Sequence, residues 1–204
     1  MSAAIGSVIE APRLERLRDF VVAFSAIVGA SRDEQRIRIE GGELLRKLVS
    51  VDDWLPQRYA EPDPVFYRQF LLHSDSEERF SVVSFVWGPG QATPIHDHTV
   101  WGLIGVLRGS EREQHYERAP DGSLAESGPV RELHPGDVGF VSPATVDLHK
   151  VSNAFDDRVS ISIHVYGANI GRVRRSVYEP SGLQKSFVSG YSNQELPNIW
   201  SDSK

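Results

Sequence analysis

Leu14, Leu17, Val21, Phe24 and Val28 recur at alternating steps of three and four, which places them on one face of a helix over 13–28. A second helical stretch is expected over 31–49. The Gly41-Gly42 pair should break or divide it, because glycine in a helix interior costs about 1 kcal/mol relative to alanine. With Pro56, Pro62 and Pro64, the segment 52–64 reads as loop. The period then changes to two for about a hundred residues, in short runs separated by Gly88-Pro89-Gly90, Pro120-Asp121-Gly122 and Pro135-Gly136-Asp137. Strands are expected at 65–72, 80–87, 101–108, 112–118, 138–141 and 159–166.

Many short strands at this spacing predict a mainly β protein, a sandwich or barrel with N-terminal helices packed outside it. The organisation that follows is one structural domain in three parts. Residues 1–64 form a helical segment on the barrel, 65–184 form the barrel, and 185–204 form a polar, irregular tail anchored by Tyr191 and Trp200.

Composition narrows the function classes. A chain of 204 residues, 40% hydrophobic and 25% charged, can bury one substantial core. With 28 acidic against 22 basic residues it lacks the basic footprint of a nucleic-acid binder, although Arg172, Arg174 and Arg175 cluster locally. It has no apolar run long enough for a membrane span. Glu10 interrupts the place where a secretory signal would be apolar, so a cytoplasmic protein is expected. The absence of cysteine removes disulfides, thiolate metal sites and thiol nucleophiles, which leaves nitrogen or oxygen to hold any metal.

His96-Asp97-His98 follows a turn and a proline in a β context. Residues two apart on a strand face the same side, so both imidazoles can reach one ion while Asp97 points away. The spacing resembles the first cupin motif: Gly90 stands six residues before His96, and Gly109 closes the motif in register. The second motif resembles 143–153, with His149 and Asn153 preceded by Pro135-Gly136-Asp137. The resemblance implies a double-stranded β-helix, or jelly-roll, barrel holding one metal on His96, His98 and His149. The motif's glutamate, a usual fourth ligand, falls on Gly102, with Leu103 next to it, so a site of three histidines and no carboxylate is expected. Imidazole accepts zinc, copper, iron or nickel, so ligand type alone does not choose among them. His73, His115 and His134 lack a partner at ligand spacing and are read as structural.

The run 159–166 alternates strictly. Its β-branched residues fill one face, and Ser160, Ser162, His164 and Tyr166 fill the other. An edge strand wetted on its polar face would show the same pattern. Hydroxyl, imidazole and phenol can however form a relay that fixes the His164 tautomer and aims Tyr166 at a ligand. With the three histidines, this row resembles the thiol dioxygenase family, which includes cysteine dioxygenase and 3-mercaptopropionate dioxygenase. The resemblance covers most of 67–175 and is strongest with bacterial members over 80–109.

The resemblance implies one ferrous ion per chain, on which a small thiol and dioxygen react to give a sulfinic acid. Tyr166 would stand beside the substrate, with His164 and Ser162 behind it. A cysteine–tyrosine cross-link cannot form in a chain without cysteine. In the cysteine-selective branch, an arginine two residues after a strand tyrosine pairs with the substrate carboxylate. Matched on Tyr67, that position is Gln69, although a slip of one residue would bring Arg68 inward instead. Arg175 stands where the mercaptopropionate branch has its cation. These residues favour 3-mercaptopropionate, with cysteine dioxygenase as the alternative and a metal-dependent isomerase, another dioxygenase or a non-catalytic binding cupin as further readings. The expected partners are the thiol and dioxygen, with no nucleic acid or membrane, and the pattern leaves room for a homo-oligomer.

Overall fold

The computed structural model describes residues 12–145 and 147–201. The segment read against a secretory signal lies almost wholly outside them. Two helical stretches come first: α1 is Glu15–Ala30, and the second runs through α2 (Glu34–Arg36), a π turn (Ile37–Gly41) and α3 (Gly42–Val49). Eleven strands follow among the described residues: β1 Arg68–Ser74, β2 Ser81–Trp87, β3 Ile95–His96, β4 Gly102–Arg108, β5 Glu111–Arg118, β6 Leu124–Leu133, β7 Val138–Val141, β8 His149–Asn153, β9 Ser160–Tyr166, β10 Arg175–Tyr178 and β11 Gln184–Phe187.

The strands form two antiparallel sheets, ordered β1-β2-β9-β4-β7 and β11-β10-β3-β8-β5-β6. This is the double-stranded β-helix of a cupin. β9 is interior to its sheet, paired on one side with β2 (Val83 opposite His164) and on the other with β4 (Ile104 opposite His164). Its alternation therefore separates two buried faces and does not divide core from water. Ile161, Ile163 and Val165 join Leu17, Phe24 and Leu45 in the core beneath the helices. Burial of each such large aliphatic or aromatic side chain contributes about 1.5–3 kcal/mol. The opposite face of β9 turns into the barrel.

Three expectations are corrected. The Gly41-Gly42 pair does not break the second helix, although the helix changes from π to α between them: both residues keep helical backbone (φ −68° and −62°). The π turn accommodates the irregularity, and Gly41 lets α1 approach, since a Cβ there would stand 2.7 Å from the Phe24 ring. The tail is not wholly irregular, because β11 pairs along β10. Trp200 does not anchor it either, being 65% exposed; Ile199 is buried in its place, and Tyr191 is held by Asn169 and the Gly171 N–H. No helix among the described residues is long and apolar enough to cross a membrane.

Candidate metal centre

β3 and β8 pair through one register position, His96 opposite His149, so backbone hydrogen bonding sets two imidazoles side by side. β3 ends at His96, and His98 lies just beyond it, not on a strand as its two-residue spacing suggested. Asp147 holds it instead. Oδ1 accepts from the His98 backbone N–H (2.9 Å), and Oδ2 accepts from the N–H of Thr99 (3.2 Å). Thr99 has φ +58°, a left-handed conformation unfavourable for a β-branched residue. The Asp147 clamp offsets that strain and turns the chain so that His98 rejoins the cluster. Asp97 points away, accepting from the Ser176 N–H (2.8 Å) and the Tyr178 hydroxyl (2.7 Å).

The three imidazoles are buried, with ring centroids 4.7–4.8 Å apart, and each offers a nitrogen within 4.8 Å of the others. Every Nδ1 has a fixed partner outside the cluster. For His96 it is the Pro94 carbonyl (3.1 Å), for His98 it is Asp147 Oδ1 (2.9 Å), and for His149 it is Glu113 Oε1 (2.8 Å). Each of these acceptors calls for a proton on Nδ1, which leaves the Nε2 lone pairs free to converge on one point, as metal-ligating histidines do. Burial, reinforced by mutual repulsion, pushes the His96 and His98 pKa values well below the ordinary imidazole range, so both stand ready as neutral ligands. Burial would raise the Glu113 carboxyl, but the hydrogen bonds it accepts from His115 and His149 outweigh it and hold the group well below its usual range. The donor set therefore fits a divalent ion with three neutral nitrogens.

The position of the motif glutamate has a steric explanation. Gly102 pairs directly with Tyr166, and a Cβ on Gly102 would stand 3.0 Å from the Tyr166 ring and 2.9 Å from Val141. The tyrosine ring occupies the space that a carboxylate side chain would need. Tyr166 stacks on His98 at 5.6 Å between centroids. Behind it runs a continuous chain: Tyr166 Oη is 2.8 Å from His164 Nδ1, and His164 Nε2 is 2.8 Å from Ser162 Oγ. Trp87 Nε1–H donates to Ser162 Oγ at 3.3 Å. Burial lowers the His164 pKa to about 3 and pushes the Tyr166 phenol well above its ordinary value.

A cavity of about 140 Å³ joins the three histidines to Tyr67, Gln69, Tyr166 and Arg175. Gln69 lines it. Arg68 does not, because the next side chain along the strand faces the other way, where Arg68 pairs with Asp63 (3.1 Å) and lies over Phe70. The three C-terminal arginines also separate: Arg172 pairs with Glu78 at the surface and Arg174 reaches Ser186, while Arg175 is 4% exposed. Its Nη2 donates to Ser189 Oγ (2.7 Å), its guanidinium lies over Phe187, and its Nε has no partner.

Sequence reasoning missed Glu113 and Asp147 and left His115 outside the site. His115 Nε2 is 3.4 Å from Glu113 Oε2, and its ring stacks 6.0 Å from that of His149. His134 lies beside Ser110 and His73 beside Phe80, and neither joins the cluster of three. The one available signal for Glu113 was alternation along β5, where Glu111, Glu113 and His115 share a face.

Fold and site together define a cupin whose barrel encloses a metal-competent cluster of three histidines. The chain belongs to the cysteine dioxygenase type I family, whose family model matches residues 43–177. It is 25% identical over 118 residues to a cysteine dioxygenase type 1 of Danio rerio, covering 56% of each chain. It is 26% identical over 111 residues to that of Rattus norvegicus, covering 53% of this chain and 54% of the other. The chain thus spans about half the length of the curated relatives it matches. Among solved structures it is similar to a double-stranded β-helix protein of Klebsiella pneumoniae (20% identity, TM-score 0.44, 63% of this chain and 99% of that one). A cupin superfamily protein of Desulfitobacterium hafniense is similar too (13% identity, TM-score 0.43, 58% and 94%).

Proposed function

We propose that the protein is an iron(II)-dependent thiol dioxygenase that converts a small thiol carboxylate and dioxygen to the sulfinic acid, with 3-mercaptopropionate its favoured substrate. Both oxygen atoms end on sulfur, and the sulfur supplies the electrons that reduce them. The observation that carries this reading is a single cavity in which three convergent imidazole nitrogens, a buried guanidinium and a phenol share one small volume.

His96, His98 and His149 would hold the ion. When bound, a ferrous ion would lower the pKa of the substrate thiol and provide the redox partner that dioxygen requires. The protein does the rest by placement. Arg175, with its Nε unpaired, receives the substrate carboxylate, and Ser189 and Phe187 hold the guanidinium in position. Gln69 offers a neutral amide to the same cavity. Tyr166 presents its phenol to the substrate, braced by His164 and Ser162, in an enclosure where one hydrogen bond is worth more than in water. Phe85, Trp87 and Val151 exclude water from the other walls.

The preference for 3-mercaptopropionate rests on charge. Among the described residues no acidic side chain lines the cavity, so the ammonium group of cysteine would meet Arg175 and a dication without a counter-charge there. Membership of the cysteine dioxygenase type I family supports cysteine as the second reading. Oxygen uptake by the iron-loaded protein with a panel of thiols decides between them. The expected result is a kcat/KM for 3-mercaptopropionate at least roughly tenfold above that for L-cysteine, about 1.4 kcal/mol in transition-state binding. A preference for cysteine would give the site to the second reading, and no uptake with any thiol would remove the activity.

A further inference from the structure

Glu111 is fully buried on the inner face of β5, two residues from Glu113, and plays no part in the chemistry above. Its carboxyl group lies against the Ser162 hydroxyl and the Trp87 indole, yet neither oxygen makes a hydrogen bond of ordinary geometry. The neighbouring polar groups are already engaged. Asn153, its register partner on β8, donates to the carbonyls of Trp87, Gly88 and Arg158 and accepts from the Phe155 N–H and the Ser160 hydroxyl. Leu133, its partner on β6, is apolar. Among the described residues the charged group that acts on Glu111 is Glu113, of like sign, which adds to the effect of burial. A buried carboxyl with two orphaned oxygens, placed at the closed end of a hydrogen-bonded chain that opens on the cavity, calls for an explanation.

We propose that Glu111 is a positioning residue that sets the direction of the Ser162–His164–Tyr166 chain by donating its carboxyl proton into the chain from the buried end. Hydrogen-bond arithmetic gives two arrangements. With Glu111 neutral, its O–H donates to Ser162 Oγ, the Ser162 O–H donates to His164 Nε2, and His164 Nδ1–H donates to Tyr166 Oη. The phenol proton is then free to point into the cavity. With Glu111 ionised, each donor reverses: the Ser162 O–H turns to the carboxylate, His164 Nε2–H turns to Ser162, and the Tyr166 O–H turns to His164 Nδ1. Tyr166 then shows the substrate only a lone pair. Burial raises the Glu111 pKa to about 8 against the opposing contacts of Ser162 and Trp87, so the donating arrangement holds at neutral pH and is lost above it. The consequence for turnover rests on the thiol dioxygenase reading; the protonation and direction of the chain do not.

Infrared difference spectra of the metal-free protein, wild type minus Glu111→Gln, test the assignment directly. The expected result is the carbonyl stretch of a protonated, non-aqueous carboxylic acid at neutral pH, absent from the variant and fading as pH rises through about 8. No such band at neutral pH, or a band that persists in Glu111→Gln, overturns the proposal whether or not the protein oxidises thiols. In the iron-loaded enzyme, Glu111→Leu removes the donor and should lower kcat roughly tenfold with KM little changed. Glu111→Gln keeps an N–H donor that cannot ionise. It should recover part of that loss and abolish the fall in kcat at alkaline pH, an outcome that mere filling of the cavity would not produce. Equal kcat in wild type and Glu111→Leu would also overturn it.

Discussion

If Arg175 receives the substrate carboxylate, its contribution can be isolated by removing either partner. Arg175 is 4% exposed, its Nη2 is tied to Ser189 at 2.7 Å, and its Nε has no acceptor. The guanidinium is therefore already desolvated and oriented, so a carboxylate arriving beside it gains a charge-assisted hydrogen bond without the cost of ordering a free arginine. Such bonds contribute about 1.5–3 kcal/mol, and the pre-set geometry argues for the upper part of that range. A coupling of about 2–3 kcal/mol corresponds to roughly 30- to 150-fold in kcat/KM. The measurement is a cycle: wild type and Arg175→Gln, each with 3-mercaptopropionate and with its neutral primary amide, in the iron-loaded protein. Arg175→Gln should lose the full factor with the acid, chiefly in KM, and only a few-fold with the amide, with iron content unchanged. An equal loss with both thiols would refute carboxylate recognition. Arg175 would then act through packing on Phe187 or through its field at the histidines.

Two further outcomes follow from the surroundings of the imidazoles. Glu113→Gln, which removes the charged acceptor 2.8 Å behind His149 Nδ1, should weaken metal binding by about 10- to 100-fold in a chelator competition titration; affinity within twofold of wild type would assign Glu113 to structure alone. His164 has a folded pKa of about 3 against an ordinary 6.5, so below pH 6.5 the unfolded chain takes up a proton that the folded chain refuses. The metal-free protein should therefore lose Tm as pH falls from 6.5 toward 3. His164→Gln should show a shallower slope, and an unchanged slope would place the acid sensitivity elsewhere, His96 and His98 included.

Much of the barrel could be read from the chain, because alternation on a strand is local. The polar row on β9 is legible in eight consecutive residues, and its inward direction follows once the strand lies between two others. The short pairing strands were harder. β3 is two residues long and β8 five, too short for periodicity to register, yet their pairing is what brings His96 to His149. The facing of Arg68 and Gln69 depended on a single-residue register that the sequence leaves open; on the strand, Gln69 stands at the cavity and Arg68 on Asp63. Glu111 was missed by one position: a strand begun at Arg112 leaves it in the preceding turn, whereas β5 begins at Glu111 and carries it inward with Glu113 and His115.

The carboxylates bear most directly on how this site differs from a cupin with a glutamate ligand. Replacing that glutamate by Gly102 removes a negative charge from the proposed coordination sphere, and Tyr166 packs into the space it would fill. Negative charge is nevertheless retained behind the imidazoles, where Glu113 and Asp147 accept from His149 and His98. Carboxylates there make the imidazoles more basic and fix their tautomers while taking up no coordination position. An ion held by the three histidines would then keep room for an anionic ligand, and with no acidic group among the described residues lining the cavity, the substrate would be left to bring the missing charge. A thiolate that also carries a carboxylate answers both needs, one charge for the ion and one for Arg175. For the same reason a carboxylate grafted back at position 102 would compete with the substrate and would displace the phenol that Glu111 is proposed to aim.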